Sequence, residues 1–144
     1  MTNIRELITT HSKAEKVLKL AGQVGSELGR QGYVVGGFVR DIFMQKISKE
    51  IDLMVVGDGI DFAEALAKQL AVKKIIPFKE FSTAKIPHKK IGIDVAAARI
   101  ESYDEKSRKP MKVIYTDLKG DLVRRDFTIN AMAVDILPLS LIHI

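Results

Sequence analysis

The stretch Ile51-Asp52-Leu53-Met54-Val55-Val56 does most to restrict what this chain can become. It is an apolar run closed by the turn-forming Gly57-Asp58-Gly59, and it reads as a buried strand. Asp61 to Leu70, rich in alanine and leucine, follows as a helix. Upstream, Ile4, Leu7 and Ile8 open a short amphipathic segment. Val17, Leu18, Leu20, Ala21, Val24 and Leu28 then recur at helical spacing between Ser12 and Arg30, with Ser12 as the cap and Gly32 as the stop. Tyr33-Val34-Val35 is a short strand ending in Gly36-Gly37, and Phe38 to Met44 suits a helix. Downstream, 73–76, 80–86 and 90–97 are β-type, and Pro87-His88 joins the last two as an antiparallel hairpin. Ser102 to Pro110 reads as a polar loop, Met111–Tyr115 as a strand, and Asp117 to Ala133 as partly helical. Helices interleaved with a small mixed sheet give an α/β (α+β) domain.

Composition narrows the function. The 144 residues suit one domain, and 47% hydrophobic with 28% charged residues is ordinary for a globular chain. No apolar run is long enough to cross a bilayer, and the N-terminus lacks the basic-then-apolar layout of a secretion signal, so a cytoplasmic setting is expected. The absence of cysteine excludes disulfides, thiolate metal sites and a Cys nucleophile. His11 and His88 read as isolated and exposed, and no Ser-His-Asp order or zinc spacing stands out. A formal charge of +5 and a pI near 9.4 favour a polyanionic partner such as a nucleotide or RNA. The lysines at 68, 73, 74, 79, 85, 89 and 90 crowd the middle of the chain, where a solvated face is the plain alternative.

Four groups of residues carry the chemistry. In Gly36-Gly37-Phe38-Val39-Arg40-Asp41 the glycines allow a tight turn and a close approach to a ligand, and a helix starting there aims free N–H groups at an anion. Arg40 adds a forked donor, unless it is merely paired with Asp41 at the surface. In Glu50-Ile51-Asp52 the two acids share one face of a strand and converge, as Mg²⁺ with its preference for hard oxygens requires; two solvated acids are the alternative. Asp94 lies inside the apolar strand Ile91–Ala97 and needs a partner, either a metal shared with the other acids or a salt bridge, for which Arg99 is the main candidate. Lastly, Arg124-Arg125-Asp126-Phe127-Thr128-Ile129-Asn130 combines adjacent arginines, a capping acid and an asparagine with an apolar stripe; a surface helix with solvated arginines is the alternative.

In this order, Gly-Gly-x-Val-Arg-Asp, acid-x-Asp and Arg-Arg-Asp-Phe-Thr-Ile-Asn-Ala resemble the head domain of class II CCA-adding enzymes (tRNA nucleotidyltransferases) and bacterial poly(A) polymerases, over roughly Tyr33 to Asp135. The resemblance implies a polymerase-β-like nucleotidyltransferase head with a small mixed sheet flanked by helices, which uses Mg²⁺ to transfer CMP or AMP from CTP or ATP to a tRNA or other RNA 3′ end. It implies Glu50 and Asp52 as metal ligands; Asp94, read from its own strand, is the candidate third catalytic acid. Gly36, Gly37, Arg40 and Arg125 would bind the nucleotide, and Arg124, Asp126 and Asn130 would support that corner. Arg99, Glu101 and Arg108 fall in a stretch similar to the family's flexible region. The family's first metal acid is usually Asp, and here it is Glu50, whose extra methylene moves the carboxylate outward.

The implied organisation is an N-terminal helical segment over 1–31, a head over 32–138 and a tail over 139–144. That tail resembles translated transposon-end sequence and is expected to be non-native, which would leave the head truncated before the neck that chooses between CTP and ATP. Alternatives are poly(A) synthesis, a catalytically inactive RNA-binding fragment, and a nucleotidyltransferase acting on a small molecule. The last leaves the Arg-Arg-Asp-Phe-Thr-Ile-Asn run unexplained.

Overall fold

The structure is a computed structural model and describes residues 4–104, 107–123, 132–136 and 141–143. Its elements are α1 (Ile4–Thr9), α2 (Ser12–Leu28), β1 (Gly32–Val35), α3 (Gly37–Phe43), β2 (Glu50–Val55), α4 (Gly59–Gln69), β3 (Ile76–Phe78), β4 (Thr83–Ile86) and β5 (Gly92–Ala97), then β6 (Arg99–Asp104), β7 (Ser107–Tyr115), α5 (Leu118–Val123), β8 (Met132–Asp135) and β9 (Leu141–His143). Seven strands form one sheet in the order β3-β4-β5-β2-β1-β8-β9, and β6 pairs with β7 separately. Within the large sheet only β2 and β5 run parallel, so the sheet is mixed as expected.

Strand alternation decides which face is covered. Ile51, Leu53 and Val55 of β2, Ile93, Val95 and Ala97 of β5, and Ala84 and Ile86 of β4 are all buried. All but Ala97 share one core with Val17, Leu18 and Val24 of α2, Val39 and Ile42 of α3, and Phe62 and Leu66 of α4. Each such side chain contributes about 1.5–3 kcal/mol by leaving water, so this face supplies most of the stability. Ile4 and Ile8 of α1 enter the same core, which ties the N-terminal helices to the sheet. On the opposite face a smaller cluster (Tyr33, Val35, Met54, Ala98, Leu122 and Ala133) is covered by α5. At the other end of that face stand Glu50, Asp52 and Asp94, exposed or half-buried.

Several boundaries differ from the sequence expectation. Helix α2 is preceded by His11, which makes no side-chain capping bond, and it ends at Gly29 in the left-handed region (φ 65°), while Gly32 already belongs to β1. The strand expected over 73–76 begins only at Ile76, after Ala71 turns the chain through φ 58°. The expected loop over 102–110 is instead mostly strand, the arms of the β6–β7 hairpin. The β4–β5 hairpin is as expected. Leu141–His143 pairs with β8 as an edge strand.

The crossover from β2 to α4 is closely fitted. Asp58 caps α4 by accepting from the Ile60 N–H at 3.0 Å, and the hydroxyl of buried Ser82 donates to the same carboxylate at 3.0 Å while accepting from the Gly59 N–H at 3.0 Å. Arg30 holds the loop from the other side, donating to the Asp58 carbonyl at 2.7 Å and pairing with Asp61 at 2.9 Å.

Candidate nucleotidyl-transfer site

The site is built where β2 and β5 begin. Because these strands are parallel, Glu50 is in register with Gly92 and Asp52 with Asp94. Registered neighbours project to the same side of a sheet, so Glu50, Asp52 and Asp94 share the face that no helix of the core covers. A side chain at position 92 would begin 3.4 Å from the Glu50 Cγ and 4.0 Å from its Oε1. Glu50 therefore leans over Gly92 towards β5, and the missing side chain there makes room for its extra methylene.

Asp94 has a partner, and it is not the arginine that the sequence suggested. Lys85, directly opposite on β4, places Nζ 3.7 Å from Asp94 Oδ1. Arg99 starts β6 instead: its Nη1 donates to the Phe81 carbonyl at 3.1 Å and to Thr83 Oγ1 at 3.4 Å, and its guanidinium lies over the Phe81 ring. Partial burial raises the Asp94 pKa above its ordinary value of 3.8, with Lys85 lowering it and Glu50 raising it. Glu50 is thus electrostatically close to Asp94, as its lean over Gly92 implies. Lys85 was visible in the sequence only as one of many lysines; a hairpin closed tightly at Pro87-His88 would set it opposite Lys90, and the longer connection observed is what brings it to Asp94.

The glycine turn adjoins the acids. Val35, the last residue of β1, pairs with Asp52, and the chain leaves β1 through Gly36 at φ 67°, ψ −135°, a conformation closed to side-chain-bearing residues. Gly37 opens α3. The Arg40 guanidinium folds back to within 3.3 Å of where a Gly37 Cβ would stand, and it also bonds Asp41 Oδ1 at 3.1–3.2 Å. The surface pairing considered from sequence is therefore present, and it holds the guanidinium against the turn. Glu101 and Arg108 fall on β6 and β7. Arg124, Arg125, Asp126 and Asn130 lie outside the described residues; the first residues of β8, which follow them, stand beside β1, with Ala133 opposite Val35. His11 and His88 are half-buried rather than exposed.

Among the described residues no three His, Cys, Asp or Glu side chains gather into a metal cage. The donor set of Glu50 and Asp52, partly solvated hard oxygens on one face, fits a cation of the Mg²⁺ kind, which takes one or two carboxylates and completes its shell with water and phosphate. Among the described residues no helix is long and apolar enough to cross a membrane.

The chain is similar to known proteins in sequence and in fold. The family model of the poly A polymerase head domain matches residues 32–144. An A-adding tRNA nucleotidyltransferase of Aquifex aeolicus is 43% identical over 106 residues, covering 74% of this chain and 13% of that protein. A CCA-adding enzyme solved in an apo form superposes with a TM-score of 0.83 at 34% identity, over 99% of this chain and 34% of that one. A tRNA nucleotidyltransferase solved with a primer tRNA and an incoming ATP analogue superposes with a TM-score of 0.71 at 38% identity, over 86% and 34%. The chain thus spans about an eighth to a third of the lengths of these proteins.

Proposed function

Since the chain belongs to the poly A polymerase head domain family, we propose that it is the catalytic head of a template-independent RNA nucleotidyltransferase. It transfers CMP or AMP from CTP or ATP to a tRNA 3′ end in the cytoplasm. The observation that carries this reading is the alignment of Asp52 with Asp94, and of Glu50 beside them, on the sheet face opposite the main core, next to the Gly36–Gly37 turn. The names of the similar proteins support a tRNA as acceptor and both nucleotides as donors.

In the reaction the RNA 3′ oxygen forms a bond to the nucleotide α-phosphorus and the bond to the β-phosphate oxygen breaks, releasing pyrophosphate. Glu50 and Asp52 would hold Mg²⁺, which when bound neutralises charge on the attacking and leaving oxygens. Asp94 is the third acid of the face, kept in place by Lys85. Gly36 and Gly37 let the triphosphate approach the backbone, and Arg40 supplies a fixed positive charge beside it. By the resemblance of its motif, Arg125 binds the nucleotide, with Arg124, Asp126 and Asn130 as supports. Poly(A) synthesis uses the same residues, and the choice between CTP and ATP would be made outside this head.

A fluorescent ATP or CTP analogue titrated with Mg²⁺ onto the chain tests the site: binding should collapse in Asp52→Ala, and equal binding by that variant would sink the reading. Labelled incorporation with CTP alone, ATP alone and both, on tRNA lacking its terminus, separates CCA addition from poly(A) synthesis.

A further inference from the structure

We infer that a basic cleft at the acid end of the sheet seats the sugar–phosphate backbone of the RNA just upstream of its 3′ end; this rests on the function proposed above. The cleft, of about 720 Å³, opens between the α1–α2 turn, the end of α3 and the start of β5. Lys13, Lys49, Lys90 and His11 line it, and none of its lining residues is acidic. The three lysines are exposed, and none has a carboxylate partner among the described residues, where ion pairs use Lys19, Arg30, Arg40 and Lys85. Buried Ile42 and Ile91 give it an apolar floor, suited to riboses and bases between the phosphates.

Position argues for a polymer rather than a single nucleotide. Lys49 directly precedes Glu50, and Lys90 precedes the register partner of Glu50 by two residues. The Gly92 N–H donates to the Lys49 carbonyl at 3.0 Å, which fixes both lysine-bearing backbones at one rim. The cleft lies on the helix-covered side of that rim and the acids on the other. A molecule touching both must cross the strand ends, as an extended chain of several nucleotides would, with its phosphates on the lysines. A second cleft, lined by Lys68, Lys73 and Lys74, has no such continuity: it also holds Glu64 and sits at β3, three strands from β2.

The test is fluorescence anisotropy of the chain with a labelled RNA hairpin bearing a single-stranded 3′ overhang, titrated without Mg²⁺ at several salt concentrations. Lys13→Ala/Lys49→Ala/Lys90→Ala should weaken binding on the order of tenfold to a hundredfold and flatten the log K against log salt slope by about two, as for three lost phosphate contacts on a single strand. Lys73→Ala/Lys74→Ala, at the second cleft, should change neither. Wild-type affinity and slope in the triple variant, or an equal loss in the Lys73/Lys74 variant, would overturn the inference. So would RNA-free self-association, seen by sedimentation velocity and abolished in the triple variant, because a second copy would then occupy the cleft. The Mg²⁺–nucleotide titration is read separately: if it is insensitive to Asp52→Ala the proposed function fails, whatever the lysines do.

Discussion

Asp52 of β2 and Asp94 of β5 stand directly abreast across the parallel pair of strands. Asp94 is tied to Lys85, and Asp52 is the acid between Glu50 and the glycine turn. Asp52→Ala should therefore lower divalent-cation affinity by more than about a hundredfold, beyond the range for losing a supporting contact. Its thermal unfolding should match wild type within a few degrees, because the residue faces away from the main core. Mn²⁺ binding followed by electron paramagnetic resonance, with calorimetry on the same samples, reads both.

At Gly36 the backbone conformation itself is the constraint. Gly36→Ala places a Cβ at φ 67°, ψ −135°, and should cost about 1–3 kcal/mol. Urea unfolding of the variant should show the lower midpoint with an unchanged slope.

Ser82 serves the crossover through two hydrogen bonds, to Asp58 and from Gly59. Ser82→Ala leaves the Gly59 N–H without that acceptor in a buried place, and a loss of about 1–3 kcal/mol is expected by urea unfolding. Since α4 carries Phe62 and Leu66 into the core, the same variant should speed amide exchange across that helix.

Tyr33 gives the pH prediction. Burial, with Asp135 and Asp117 adding to it, raises its pKa above 10.0. Above pH 10 the unfolded chain therefore loses the phenol proton first, and stability must fall as pH climbs through that region. Tyr33→Phe removes this contribution, so melting temperatures measured from neutral pH into the alkaline range should decline less steeply in the variant.

Most of the architecture could be read from periodic patterns. The helical spacing from Val17 to Leu28, the run Ile51–Val56 and the Ala/Leu-rich segment after Asp61 correspond to α2, β2 and α4. Glu50 and Asp52 share a face because a strand repeats every second residue, which local spacing reveals. What escaped was set by contacts between distant segments. The partner of Asp94 depends on the register of a hairpin, and Arg99, the rival to a metal role there, is out of place because the chain leaves β5 at Ala98 before reaching it. The 102–110 stretch, polar and carrying Pro110, has the composition of a loop; its strand character comes from pairing between two arms. Gly32 was read as the stop of α2, but the helix ends three residues earlier, where Gly29 takes the left-handed backbone angle that spacing alone does not reveal.

The division of labour between the two sides of the sheet has a consequence for how such a protein can change. Odd-numbered positions of β2 and β5, such as Ile51, Leu53, Ile93 and Val95, answer to the oil beneath them, whereas Glu50, Asp52 and Asp94 stand outside that core, exposed or half-buried. Reactivity can then drift, be lost or be regained by exchanging acids, without asking the fold to reassemble around each trial.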